Sequence, residues 1–203
     1  MTAKTYLRIG VTQRFDIVED RQEIRDALDQ QWTVWLQKQG FLCVPIPNRC
    51  DVPLWIEQVH LDGLLLSGGG DHPTRTACES ACFRYAVEHH LPVLGVCHGM
   101  QAIAKYFGAH LVPIEGHVRV LHEVTILANT WQIPTGKLTV NSYHHQTIDR
   151  LPEGFLPLAT DEQGHWEAMV HASLPFLSMM WHPERPPFYD WFSAFLHRWY
   201  EKC

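Results

Sequence analysis

A chain of 203 residues, 46% hydrophobic and 19% charged, has the composition of a globular protein that can bury a sizeable core, and predicts one domain over residues 1–203. Its formal net charge of −6 leaves no basic face for general nucleic-acid binding. No apolar run reaches the about 18 residues of a membrane helix, and the opening Met1-Thr2-Ala3-Lys4-Thr5-Tyr6 lacks a signal-peptide apolar region, so a cytoplasmic protein is expected.

Tyr6 to Thr12 reads as a first strand. Asp20, with Glu23 three residues on, has the pattern of a capping box. It predicts a helix carrying Ile24, Ala27, Leu28, Trp32, Trp35 and Leu36 on one face and stopping at Gly40. Phe41 to Ile46 is a second strand. Leu61 to Ser67 is a third, apolar enough to be buried on both faces as in a parallel sheet. A helix from about Thr74 to His89 leads to the apolar run Leu91 to Leu94, and a further helix from Met100 ends at Gly108. Shorter strands are expected over Val118–Leu127, Lys137–Asn141, Phe155–Thr160, Glu167–His171 and Phe176–Trp181. A last helix, opened by Pro186-Pro187, would bury Phe188, Trp191, Phe192, Phe195 and Trp199. This order predicts an α/β three-layer sandwich, with a mostly parallel central sheet, a small antiparallel portion, and a site at the carboxyl ends of the parallel strands.

Six cysteines (Cys43, Cys50, Cys78, Cys82, Cys97 and Cys203) without a secretion signal do not make a disulfide framework. Cys78 and Cys82 are four apart on a helix, but no second cysteine pair or His-Glu-x-x-His motif accompanies them. No metal site and no cofactor is expected, and every cysteine except Cys97 is assigned to packing or surface.

Cys97 stands in Gly95-Val96-Cys97-His98-Gly99, between an apolar strand and a helix. A nucleophile on a sharp strand-to-helix turn is backbone-strained and needs small neighbours on both sides. The following helix N-terminus offers N–H groups to a thiolate or an oxyanion. Such a cysteine needs a base and a group that orients the base. In Trp181-His182-Pro183-Glu184 the proline keeps His182 out of helical backbone, and extended residues two apart share a face. His182 and Glu184 can therefore pair. Ser67-Gly68-Gly69-Gly70-Asp71 ends a buried strand with glycines that let backbone approach a ligand, without the ending of a P-loop. Asn141-Ser142-Tyr143-His144-His145-Gln146 concentrates polar and aromatic side chains at one strand end.

In this order and over nearly the whole chain, the four segments resemble the class I glutamine amidotransferase-type domain, within the γ-glutamyl hydrolases that include γ-glutamyl-γ-aminobutyrate hydrolase. Gly95 to Gln101 is similar to the family's Gly-x-Cys-x-Gly-x-Gln, and Trp181 to Glu184 to its Trp-His-Pro-Glu. Leu66 to Gly70 resembles the oxyanion glycines, and Asn141 to Gln146 the substrate strand Asn-Ser-x-His-Gly-Gln, with His145 in place of its glycine. The resemblance implies Cys97 as nucleophile on a γ-glutamyl amide, His182 as proton shuttle and Glu184 as its orienter. It implies an oxyanion hole from the N–H groups of Gly69 and His98. Gly70, Gln101 and the edge Ser142, Tyr143, His144, His145 and Gln146 would hold the glutamyl group.

The compact chain, with Ile9 to Arg14 and Arg21 to Trp32, looks more like a smaller branch containing the γ-glutamyl-CDP-amidate hydrolase of capsule phosphoramidate synthesis. On that reading the partner is a small, nucleotide-linked γ-glutamyl compound, and Arg14 or Arg75 could pair with its pyrophosphate. The alternatives are a γ-glutamyl-γ-aminobutyrate-type hydrolase, a glutaminase subunit feeding ammonia to a separate synthase, and a non-catalytic binding module. The oligomeric state is not indicated.

Overall fold

The computed structural model describes residues 6–127 and 133–201; Cys203 and the first five residues lie outside them. The first half of the chain runs β1 (Arg8–Thr12), a hairpin β2 (Arg14–Val18) and β3 (Glu23–Ala27), α1 (Gln30–Lys38), β4 (Leu42–Ile46) and α2 (Val52–Val59). Then follow β5 (Gly63–Leu66), α3 (Pro73–His89), β6 (Val93–Val96) and α4 (His98–Tyr106). The second half is richer in strands: β7 (Leu111–Pro113), β8 (Val118–Ile126), β9 (Gly136–Tyr143) and β10 (Gln146–Ile148). It ends with β11 (Phe155–Asp161), β12 (Trp166–His171), β13 (Phe176–Met179) and α5 (Asp190–Glu201).

Nine strands form one sheet in the order β4-β1-β5-β6-β13-β12-β11-β8-β9. The pairings from β4 to β13 are parallel, and those from β13 to β9 are antiparallel. Period-two alternation sends successive apolar side chains to opposite faces. Ile9, Val11, Leu65 and Leu94 pack with Trp32, Trp35 and Leu36 of α1 and Phe195, Leu196 and Trp199 of α5. Leu64, Leu66 and Val93 pack on the other face with Ile56 of α2, Phe83 of α3 and Ile103 of α4. Helix, sheet and helix layers result, as expected. β2 pairs with β3 and β7 with β10 in two small antiparallel sheets. No helix among the described residues is long and apolar enough to cross a membrane.

The expected helix from Asp20 is half wrong. Residues 14–27 form a hairpin in which Ile17 pairs with Ile24 across the strands, both largely exposed. Its turn is closed by Gln22 in the left-handed region, at φ 53°. Helix α1 begins only after Asp29, whose carboxylate accepts from the Gln31 N–H at 3.0 Å. Ile24, Ala27 and Leu28 fall at helical spacing with the true core face by coincidence. Helix α2 was not anticipated, although Asp51 caps it and a proline stands in its first turn. The expected burial of Phe188 also fails: it precedes α5 and is exposed.

Candidate active site

Parallel register brings the expected site together. Val96 of β6 lies beside Met179 of β13, and Leu66 of β5 beside Gly95. Gly68, Cys97 and His182, each just past a strand end, therefore emerge at one carboxyl edge, with Arg14 just past β1. Cys97 sits at φ 53°, ψ −106°, immediately before α4, and its N–H donates to Met179 O at 2.8 Å. The neighbouring glycines are required by close approach. A Cβ on Gly99 would stand 2.2 Å from the Leu66 carbonyl oxygen, and one on Gly95 2.6 Å from Ile103 Cδ1. His98 opens α4, where first-turn N–H groups have no intrahelical acceptor.

His182 is buried and lines the same cavity as Cys97. Its Nδ1 lies 2.7 Å from Glu184 Oε1, the local pairing expected from the spacing. Burial opposes charge on this imidazole. The interactions with Cys97 and Glu184, including the Glu184 charge, outweigh it and raise the His182 pKa to about 9. Asn141 fixes the turn from behind. Its Nδ2 donates to His182 O at 2.8 Å and Pro186 O at 3.1 Å, while its Oδ1 accepts from the His182 N–H at 2.8 Å. Nothing in the sequence around Asn141 sets this role apart from its place in the polar strand end.

The glycine loop rests on a buried ion pair. Arg75 is fully buried; its Nε donates to Glu79 Oε1 at 2.9 Å, and its Nη2 to Ser67 O at 2.7 Å. Glu79 also accepts from Thr12 Oγ1 at 3.2 Å and lies 3.3 Å from His98 Nε2. The expectation that Arg75 contacts a substrate pyrophosphate is therefore corrected: its guanidinium is engaged inside the fold. The same residue explains Gly69, where φ is +147° and a Cβ would meet Arg75 Nη1 at 2.2 Å. A Cβ on Gly68 would stand 2.5 Å from His182 Cε1.

A cavity of about 210 Å³ opens over these groups, lined by Cys97, His182, Glu184, Gly68, Gly69, Arg14 and Tyr143 among others. Gly70 stands outside this lining, exposed, with open space around it. The amide nitrogen of Gln101 is taken up by Gln146 O at 2.9 Å, which ties α4 to β10. Ser142 and His144 are corrected as well. Ser142 is buried, with its hydroxyl on His117 O at 2.7 Å, and the His144 ring turns inward toward Glu167. His145 and Gln146 are exposed outside the cavity lining. Of that segment, Tyr143 alone reaches the cavity, its ring edge-on to His182 with centroids 5.4 Å apart.

Arg14 stands where the sequence puts it, exposed on the cavity wall, and makes no ion pair among the described residues. Two further lining residues, Arg185 and Asp29, were not foreseen. Arg185 lies over the Tyr143 ring, 4.7 Å from its centroid, and pairs with Asp29 at 3.0 Å. Cys78 and Cys82 are buried in the α3 core, and the Cys78 contact together with burial pushes the Cys82 thiol well up.

The family model for glutamine amidotransferase class-I matches residues 35–187. A γ-glutamyl-CDP-amidate hydrolase of Campylobacter jejuni is 29% identical over 187 residues, covering 87% of this chain and 90% of that one. A glutamine-hydrolyzing GMP synthase subunit of Methanosarcina barkeri is 39% identical over 129 residues, covering 61% of this chain and 64% of its own length. In fold, the chain matches a GMP synthase subunit protein of Thermoplasma acidophilum, with a TM-score of 0.75 at 23% identity, over 97% of this chain and 94% of that one. The chain belongs to the class I glutamine amidotransferase family and is a hydrolase of a γ-glutamyl amide bond.

Proposed function

We propose that Cys97 carries this hydrolysis through a γ-glutamyl thioester, on a substrate whose leaving group is nucleotide-linked. The observation that carries the reading is the grouping of Cys97, His182 and Glu184: a thiol on strained backbone, sharing one cavity with an imidazole whose Nδ1 faces a buried carboxylate. The Cys97 sulfur, its proton passed to His182, attacks the γ-carbonyl carbon. The backbone N–H groups of Gly69 and His98 receive the developing oxyanion. The C–N bond breaks and the amine departs with the proton from His182. Water then adds to the thioester and gives its proton to His182. Glutamate leaves, and the thiol recovers the proton.

The finer assignment, γ-glutamyl-CDP-amidate giving glutamate and cytidine diphosphoramidate, draws on two supports. One is the Campylobacter relative, which matches nearly end to end. The other is Arg14, an exposed guanidinium at the cavity wall suited to a pyrophosphate. The second reading is a glutaminase subunit that passes ammonia to a separate synthase, favoured by the relatives that are GMP synthase subunits. Glutamate release from γ-glutamyl-CDP-amidate, γ-glutamyl-γ-aminobutyrate and glutamine, measured in parallel on the isolated protein, separates them. The proposal expects the nucleotide-linked substrate to turn over fastest without any partner. Glutamine hydrolysis that appears only on adding a synthase would replace it with the second reading.

A further inference from the structure

Behind the β9 end lies a second polar cluster that the proposed reaction does not use. His117 directly precedes β8, and His122 lies on it. Asp161 ends β11 and pairs with Val124, two residues along β8 from His122. Glu167 lies on the adjoining β12. His117, His122, Asp161 and Glu167 each offer one ligand atom, and the four atoms lie within 4.8 Å of one another. His117 Nε2 is 3.2 Å from Asp161 Oδ2 and 3.7 Å from Glu167 Oε1; His122 Nε2 is 3.7 Å from Glu167 Oε2. His144 Nε2 stands beside them, 3.6 Å from Glu167 Oε1.

The interior satisfies only part of this cluster: Asp161 Oδ2 holds His165 Nδ1 at 2.8 Å and His117 Nε2 at 3.2 Å. Glu167 is fully buried, and among the described residues neither of its oxygens has a hydrogen-bond partner; the Nε2 atoms of His122 and His144 have none there either. A buried carboxylate without a hydrogen bond or counter-charge is strongly unfavourable. The tautomers sharpen the point. His117 Nδ1 is 2.9 Å from the Glu115 carbonyl oxygen, and His144 Nδ1 is 3.1 Å from the Gln146 carbonyl oxygen. A carbonyl cannot donate, so both Nδ1 atoms carry the proton, and in the neutral ring Nε2 is a lone pair. These lone pairs face carboxylate oxygens, and a cation between them reconciles the two.

The separations agree with that. Ligands bound to a tetrahedral zinc at about 2.0–2.1 Å lie about 3.4 Å from each other; three histidine–carboxylate pairs here stand at 3.2–3.7 Å, and all four ligand atoms within 4.8 Å, so small side-chain adjustments close the shell. We propose that His117, His122, Asp161 and Glu167 bind one divalent transition-metal ion, zinc by donor chemistry, with His144 alongside. Two neutral imidazoles and two carboxylates balance the charge of a divalent cation. An outer shell is already built. Asp161 Oδ1 accepts from the N–H groups of Gln163 and His165 at 2.9 and 2.8 Å, and the Glu115 carbonyl orients His117. The ion would pin β8, β11 and β12 together. Through Ser142 on His117 O and Gln146 O on Gln101, it would steady the strand end beside the active site.

The test is metal content of the untagged full chain by elemental mass spectrometry, followed by chelation and titration with Zn²⁺ or Co²⁺. About one metal per chain is expected, with a rise in Tm on re-addition and visible Co²⁺ absorption of tetrahedral intensity. Glu167→Gln and His122→Ala should lose the ion, while Cys97→Ala keeps it. A chelated wild-type chain that takes up neither Zn²⁺ nor Co²⁺ would overturn the proposal, even if the ligand variants failed to fold. So would a metal that leaves with Cys97→Ala and stays in Glu167→Gln, since that ion belongs to the active-site thiol.

Discussion

Two buried charged clusters support the two halves of the sheet, and they are completed in opposite ways. Under the glycine loop, in the parallel half, Arg75 and Glu79 satisfy each other and share the remaining bonds with Ser67, Gly68, Thr12 and His98. In the antiparallel half, Glu167 and the imidazoles of His122 and His144 converge without completing one another. The first cluster is closed by folding alone and sets the shape of a catalytic edge. The second is arranged to receive a cation. A buried charge network is thus informative less by its size than by whether its hydrogen-bonding capacity is filled.

The largest effect should come from the parallel half. Replacing Glu184 by glutamine keeps the shape beside His182 but removes the charge that favours its protonated form. kcat/KM should fall on the order of 10³-fold. A loss under about tenfold would remove Glu184 from the proposed chemistry.

Next comes the contrast between the clusters. Arg75→Met strands Glu79 in the interior and should cost about 3–5 kcal/mol in urea unfolding. Glu167→Gln, measured in chelator, removes an unpaired charge and should cost no stability, leaving the unfolding midpoint unchanged or higher. Equal large losses in both variants would erase the distinction between a closed and an open cluster.

A third prediction uses pH. His182 has a folded pKa of about 9 against an ordinary value of 6.5. Its contribution to stability is therefore full below pH 6.5 and is lost as the pH rises through about 9. Chemical-denaturation midpoints should decline across that window, and less so in Glu184→Gln. The basic limb of kcat/KM should move to lower pH in the same variant. A limb that stays in place would mean another group titrates there.

The smallest effect is at Arg14. Alanine there should raise KM for an anionic, nucleotide-linked substrate about tenfold, the size of one charged hydrogen bond. Glutamine hydrolysis should be unaffected. Equal changes on both substrates would argue that Arg14 only shapes the hairpin.

How much of this was legible in the sequence follows from how local each constraint is. The elbow could be read because a sharp strand-to-helix turn demands small residues at Gly95 and Gly99, the positions flanking the thiol. His182 and Glu184 could be paired because two residues of extended chain suffice. Residues 14–27 misled because Ile24, Ala27 and Leu28 continue the helical spacing of Trp32 and Leu36, while a hairpin exposes Ile17 and Ile24 instead. Arg75 read as a pyrophosphate contact because its spacing of four from Glu79 says that the two can pair, but not that both are buried with the loop carbonyls around them. The cluster of His117, His122, Asp161 and Glu167 has no motif spacing at all. Only the registers of β8, β11 and β12 bring it together.

The central claim, a γ-glutamyl thioester on Cys97, is tested most directly by acid-quenching the isolated protein during turnover of γ-glutamyl-CDP-amidate and mapping the adduct by peptide mass spectrometry. The expected result is a γ-glutamyl group on the peptide carrying Cys97, absent in Cys97→Ala, which should also release no glutamate. Glutamate release that continues in Cys97→Ala, or an adduct mapped to another residue, would contradict it.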